Sequence, residues 1–203
     1  AMTNNVLLAD DQALVRGALA TLLGLEPDIE VVAQVGTGRQ VVDAVRASGA
    51  DVALLDIDMP DGDGLSAAAA IREARLDCRC LIVTTLGRPG YLSRAMEAGA
   101  SGFIVKDTPP QQLADAVRKV HAGLRVIDPS LAQESVFLGP NPLTEREQET
   151  LREALTGLGV SEIAKQLHLS EGTVRNYLSS AIGKTNSRNR TEAARVAETN
   201  GWL

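Results

Sequence analysis

Val52-Ala53-Leu54-Leu55-Asp56-Ile57-Asp58-Met59-Pro60 decides how the first half of this chain folds. Four apolar residues run into an aspartate, and an acidic loop ending in proline follows. Three other short apolar runs end in the same manner: Val6-Leu7-Leu8-Ala9 before Asp10-Asp11, Leu81-Ile82-Val83 before Thr84, and Phe103-Ile104-Val105 before Lys106. Runs of this length, separated by helix-like stretches, predict strands of a parallel sheet buried on both faces. In an open α/β sheet the functional crevice lies outside the carboxyl ends of the strands. Three carboxylates, a hydroxyl and an amine are therefore expected on one rim. Carboxylates crowded together repel one another unless a cation holds them. With a lysine as a second positive centre, this is the layout of a site that accepts a phosphoryl group on Asp56.

Outward from that stretch, the first 125 residues alternate strand and helix patterns five times. Strands are predicted at 6–9, 30–35, 52–56, 80–84 and 102–105, and helices at about 12–25, 38–48, 64–75, 90–98 and 110–122. Pro27-Asp28, Gly49-Ala50 and Gly99-Ala100-Ser101-Gly102 punctuate them as turns. Alternating βα units with short loops imply a parallel sheet with helices on both faces. Residues 1–125 read as one domain. Residues 126–141, with Asp128-Pro129 and Gly139-Pro140-Asn141, read as a linker.

Residues 142–203 form a purely helical second domain in this reading. Thr144 followed by Glu147 is a capping box, and Gly157 is a helix stop after Leu151 and Leu155. A short helix is expected over 161–167, a turn at His168-Leu169-Ser170, and a third helix capped by Ser170 that buries Val174, Leu178, Ala181 and Ile182. A fourth runs from Arg190 to Asn200. Two short helices joined by a tight turn, the second with polar and basic residues outward, describe a helix-turn-helix.

Composition narrows the function classes. The chain has 203 residues, 44% apolar and 23% charged, as in ordinary globular proteins. No apolar stretch approaches the roughly 20 residues that span a membrane, and no signal peptide opens the chain, so a cytoplasmic location is expected. Cys78 and Cys80 are too close for an unstrained bridge and read as reduced thiols, and no His/Cys cluster has zinc spacing. The net charge of −6 seems to argue against nucleic acid, but it is all carried by residues 1–139, with 18 acidic and 12 basic side chains. Residues 140–203 hold 8 of each, and 163–195 holds six basic residues against Glu171 and Glu192. Nucleic-acid binding needs only such a local positive footprint.

The N-terminal part resembles the receiver domain of bacterial two-component response regulators. The residues that carry the resemblance are Asp10-Asp11, Asp56-Ile57-Asp58-Met59-Pro60 with Gly64, Thr84 and Lys106, with spacings of 28 from Asp56 to Thr84 and 22 from Thr84 to Lys106. The resemblance covers residues 5–122 and implies a flavodoxin-like, five-stranded parallel sheet in the order 2-1-3-4-5. It also implies that Asp56 is the phosphoacceptor, a carboxylate nucleophile toward phosphorus. Asp11, Asp56 and the backbone carbonyl of Asp58 would bind Mg²⁺, with Asp10 orienting a bound water. Lys106 and Thr84 would hold phosphoryl oxygens, and Phe103 takes the place of the switch aromatic, whose ring turns inward when the threonine moves. Asp61 and Asp63 read as turn residues.

Residues 142–200 resemble the four-helix output domain of the NarL/FixJ (LuxR-type) regulators. Leu143-Thr144-Glu145-Arg146-Glu147, Glu162-Ile163-Ala164, Leu167, Thr173-Val174-Arg175, Lys184 and Asn189-Arg190 before Glu192-Ala193 carry it. The resemblance places Arg175, Asn176 and Ser179 at base edges of double-stranded promoter DNA, where Arg grips guanine and Asn adenine. Thr173, Lys184 and Arg188 would hold phosphates. The sequence departs from the family at Gly159-Val160 before the second helix, at Tyr177 and at Thr185, which leaves the DNA sequence preference open. Arg88-Pro89-Gly90-Tyr91 and Gly201-Trp202 resemble the desaturase-regulating subgroup. The partners implied are a cognate sensor histidine kinase, promoter DNA, a second copy of the chain on phosphorylation, and RNA polymerase. Two other readings remain open at this point: a phosphatase or phosphotransferase using Asp56 and Asp58 as nucleophile and acid, and a receiver acting through protein contacts alone. Pro60, where such phosphatases usually place Thr or Val, and the basic stretch at 163–195 weigh against them.

Overall fold

Short runs of branched and long aliphatic residues form the strands, and the stretches between them form the helices. A computed structural model describes residues 2–85 and 90–203, so Arg88 and Pro89 lie outside the described residues. The elements are β1 (Asn4–Ala9), α1 (Ala13–Gly24), β2 (Ile29–Val35), α2 (Val41–Ser48), β3 (Val52–Asp56), α3 (Gly64–Glu73), β4 (Arg79–Thr84), α4 (Tyr91–Glu97), β5 (Gly102–Val105) and α5 (Pro110–His121). They continue with β6 (Val126–Ile127), α6 (Pro129–Leu138), α7 (Glu145–Leu155), α8 (Val160–Leu167), α9 (Glu171–Lys184) and α10 (Arg190–Thr199). Among the described residues the chain divides into two compact units, 2–85 with 92–133 and 90–91 with 134–203, so one boundary falls inside α6.

The first unit is built on a parallel sheet in the order β2-β1-β3-β4-β5-β6. Side chains alternate along each strand. One face gathers Val6, Leu8, Val52, Leu54, Leu81 and Ile104 against Leu23 of α1 and Leu113, Val117 and Val120 of α5. The intervening residues Leu7, Leu55, Ile82 and Phe103 are equally buried, as expected of strands covered on both sides.

The sheet differs from the expected five strands by one. Val126 donates its N–H to the Ser101 carbonyl at 3.1 Å, and Asp128 donates to the Phe103 carbonyl at 2.9 Å, so a sixth strand lies along the outer edge of β5. The expected linker at 126–141 thus starts with sheet and continues into a helix. Two residues carry no readable periodicity, and the partner strand supplies their hydrogen bonds.

The second unit packs α7–α10 around Leu143, Leu151, Ile163, Val174, Leu178, Ala181, Ala193 and Ala197. The capping box expected at Thr144 and Glu147 is formed, and Ser170 accepts from the Thr173 N–H at 3.1 Å to start α9. Asn189 caps α10 by accepting from the Glu192 N–H at 2.9 Å. The turn between α8 and α9 passes through His168 in the left-handed region, at φ 56°.

Leu151 has no exposed surface and sits where α7 meets this core. Leu151→Ala is expected to destabilise the second unit by about 2–5 kcal/mol, the usual cost of a buried Leu truncation. Urea unfolding of the full chain checks this, and the transition of the first unit should keep its midpoint.

Candidate functional site

Parallel pairing in register determines where the polar residues go. Ala9 pairs with Leu55, Asp56 with Val83, and Thr84 with Val105. Asp10-Asp11, Asp56, Thr84 and Lys106 therefore emerge on one rim, each at or just past a strand end. Oxygens of Asp10, Asp11 and Asp56 lie within 4.8 Å of one another. Asp10 and Asp56 are buried and Asp11 is exposed.

Lys106 Nζ donates to Asp56 Oδ2 at 2.9 Å, and the Asp58 N–H donates to Asp56 Oδ1 at 3.2 Å. Burial raises the Asp56 carboxyl above the ordinary aspartate range, and the Asp10 charge adds to it; Lys106 and the Asp58 N–H oppose the shift without cancelling it. Burial also works against the Lys106 ammonium, but its bond to Asp56 and the charges of Asp10 and Asp58 outweigh that, and its net direction is upward. Together the three carboxylates are an under-neutralised set: one lysine faces three acids. Such a set fits a small hard divalent cation that takes one or two carboxylates and keeps waters. Asp10, Asp11, Asp56 and the Asp58 carbonyl are the groups that would hold it.

Thr84 is fully buried, and its hydroxyl donates to the Thr85 carbonyl over a long 3.3 Å. The Lys106 N–H donates to the Thr84 carbonyl at 2.7 Å, which ties the hydroxyl-bearing and amine-bearing loops together. The Phe103 ring is fully buried. Gly64 begins α3 against the acidic strand: a Cβ there would stand 2.5 Å from the Asp56 carbonyl oxygen. Asp63 caps α3 by accepting from the Ser66 N–H at 2.7 Å, and Asp61 takes a left-handed turn at φ 50°. The strand-end pattern missed Arg16, which lines the cavity beside Asp10 and Asp56 from the second turn of α1.

In the second unit α9 turns Val174, Leu178 and Ala181 inward and leaves Arg175, Asn176 and Ser179 exposed. Arg175 rests on Glu171 one turn back at 3.3 Å, an exposed pair of the kind that adds little to stability. Thr173 is half-buried and its hydroxyl shares a 2.8 Å hydrogen bond with Ser170, so it serves the cap. Arg188 pairs with Glu192 at 2.8 Å on the surface. Lys184 is held more firmly: its Nζ donates to Glu147 Oε1 at 2.7 Å, and the Glu147 side chain is only 3% exposed. Sequence reading had placed Glu147 only in a cap. Its spacing of 37 from Lys184 gives no local signal of the pair.

Comparison with known proteins places both halves. Residues 6–118 match the response regulator receiver domain, and residues 141–197 match the bacterial regulatory proteins of the luxR family. The chain belongs to the LuxR-type response regulators. It is 41% identical over 199 residues to the transcriptional regulatory protein DesR of Bacillus subtilis (strain 168), with 98% of each chain covered. It is 44% identical over 196 residues to the uncharacterized transcriptional regulatory protein YvfU of the same organism, covering 97% of this chain and 98% of that one. Among solved structures it is similar to the response regulator ChrA of a heme-sensing two-component system, at 32% identity and a TM-score of 0.61, with 100% of both chains covered. The regulator is thus a DNA-binding protein of the two-component type and not an enzyme in the ordinary sense. Among the described residues, no helix is long and apolar enough to cross a membrane.

The Glu147–Lys184 pair is expected to make the second unit sensitive to acid. Burial pushes the Glu147 carboxyl up, but hydrogen bonds from Lys184, Ser180 and Thr144 outweigh it and hold the group at about 2. An acid held below its ordinary value of 4.5 stabilises the fold fully above that pH and loses the contribution as pH falls toward about 2. Unfolding followed across that window should show the second unit losing stability, with a flatter profile in Glu147→Gln. Lys184→Met removes the ion pair while the Ser180 and Thr144 hydrogen bonds remain, and is expected to destabilise the second unit by about 1–3 kcal/mol at neutral pH, read by urea unfolding.

Proposed function

We propose that the regulator is switched by phosphorylation of Asp56 by a cognate sensor histidine kinase in the cytoplasm. The observation that carries this reading is the Asp56–Lys106 pair at 2.9 Å, set against Asp10 and Asp11 on one rim. An Asp56 carboxylate oxygen attacks phosphorus, the donor's phosphorus–nitrogen bond breaks, and the imidazole leaves with a proton. Mg²⁺, when bound, neutralises charge on the transferred phosphoryl oxygens. Lys106 is already beside the nucleophile and passes to a phosphoryl oxygen as the acyl phosphate forms. Thr84 gives up its long bond to Thr85 and donates to another. The residues that assist this transfer also assist hydrolysis of the acyl phosphate, the extent of the regulator's own chemistry. Because Thr84 and Phe103 lie on β4 and β5, movement of the threonine acts on strands whose pairing reaches β6.

Output in this reading is a phosphorylated dimer on paired promoter half-sites, acting on transcription by RNA polymerase. One small helix offers few base contacts, and two copies double them. Arg175, Asn176 and Ser179 read base edges, while Arg188, Thr173 and Lys184 serve the backbone, Lys184 with the part of its ammonium that Glu147 leaves open. Support for self-association comes from α1 and its C-cap, where Leu14 is 87% and the capping Leu25 is 75% exposed, with Val15, Ala18 and Leu22 within the same arc. Exposed apolar residues gathered on one helix face mark an interaction surface.

Asp56→Asn should abolish labelling by a small phosphodonor such as phosphoramidate with Mg²⁺, measured by intact mass. Labelling at the wild-type level would refute the acceptor assignment. Size-exclusion with light scattering should show the dimer fraction rise on phosphorylation and stay low in Leu14→Glu. Arg175→Ala should weaken binding to a selected operator by about 1–3 kcal/mol and relax preference at the base it contacts, as read by titration against single-base operator variants.

A further inference from the structure

Arg16 belongs to α1, not to any strand end, yet its guanidinium turns back beneath the acidic loop. Nη1 donates to the backbone carbonyl of Asp10 at 2.5 Å. Gly36, after β2, stands beside it, and a Cβ there would come within 3.4 Å of Nη1. Asp10 and Asp56 line the same small cavity as Arg16, about 20 Å³ in volume. Arg16 Nε is buried and is without a hydrogen-bond partner among the described residues. A buried donor left unpaired costs free energy, and such groups persist where function requires the side chain.

Asp10 is thereby fixed on three sides. Its N–H donates to the Val35 carbonyl at 3.1 Å, its Oδ1 accepts from the Gln12 N–H at 2.9 Å, and its carbonyl accepts from Arg16. The first is backbone to backbone, and the second needs only the Asp10 carboxylate and a backbone amide. The third depends on Arg16 alone.

We propose that Arg16 is a positioning residue of the divalent-cation site, holding the Asp10-Asp11 loop in the geometry that receives the ion. This rests on the reading of Asp10, Asp11 and Asp56 as that site. Arg16 contributes two opposing effects. Its charge repels an incoming cation, and its hydrogen bond preorganises the carboxylates that bind one. The bond acts at contact distance on a ligand residue, whereas the charge acts on the ion only through space, so preorganisation is expected to win.

Arg16→Lys separates the two effects, since it keeps the charge and loses the planar, multi-donor head. Titration calorimetry of the full-length protein with Mg²⁺ should show affinity falling by about tenfold in Arg16→Lys, the scale of one lost charge-assisted hydrogen bond. The Mg²⁺-induced rise in Tm should shrink in step. Phosphoramidate labelling should need correspondingly more Mg²⁺ while reaching a saturating rate close to wild type. Arg16→Met, which loses the bond and the repulsive charge together, is the second variant and should bind Mg²⁺ more weakly than wild type but no more weakly than Arg16→Lys. Wild-type Mg²⁺ affinity in Arg16→Lys with only a lower metal-free Tm would overturn the proposal and leave Arg16 a structural residue. Asp11→Asn serves as the reference: if it too binds Mg²⁺ normally, the cation site itself has been misassigned, whereas loss of binding there with a normal Arg16→Lys sinks the positioning role alone.

Discussion

Negative charge gathered at the carboxyl rim of a parallel sheet is the constraint on which the rest of the regulator depends. Asp10, Asp11 and Asp56 are brought within 4.8 Å by strand register, and a single lysine faces them. Register is enforced by burial on both faces of the sheet, so the carboxylates cannot relax apart without exposing β1 and β3. The repulsion is therefore stored in the fold, and burial of Asp56 enlarges it. A cation held by these carboxylates would relieve that repulsion, and in the proposed function a phosphoryl group on Asp56 would be met by Lys106 and Thr84. Gly64 belongs to the same economy of space, since only a residue without a side chain lets α3 begin against the Asp56 carbonyl.

The responsive residues are joined to the edge of the sheet by backbone hydrogen bonds. The Lys106 N–H donates to Thr84, and the Phe103 carbonyl accepts from Asp128. Asp128 in turn accepts from the Ser130 N–H at 2.9 Å, in the first turn of α6. A continuous chain of pairings thus runs from the acidic rim along β5 to β6 and the start of α6. Sheet pairing transmits displacement better than a flexible connection, because each bond fixes both partners.

The DNA-binding unit solves a different electrostatic problem. α9 presents cations outward and is anchored inward. Val174, Leu178 and Ala181 anchor it through packing, and Lys184 anchors it through Glu147 at the far end. Glu147 meanwhile completes the cap of α7 by accepting from the Thr144 N–H at 2.8 Å. One buried carboxylate therefore ties the start of α7 to the end of α9. Exposed pairs such as Arg188–Glu192 and Arg175–Glu171 lack that burial and hold their side chains less firmly.

Sequence by itself determined the order of strands and helices, the split into sheet and helical halves, and the strand-end placement of Asp10-Asp11, Asp56, Thr84 and Lys106. These follow from local rules: apolar runs of fixed length, glycine and asparagine at turns, and caps three residues from their acids. Tertiary structure alone decided the sixth strand, because Val126 and Ile127 gain their ladder from β5 and carry no pattern of their own. It alone paired Glu147 with Lys184 across 37 residues and turned Arg16 from an ordinary helix residue into a neighbour of Asp10. Those contacts arise from the approach of separate elements, and long side chains reach across such gaps in ways that periodicity cannot encode.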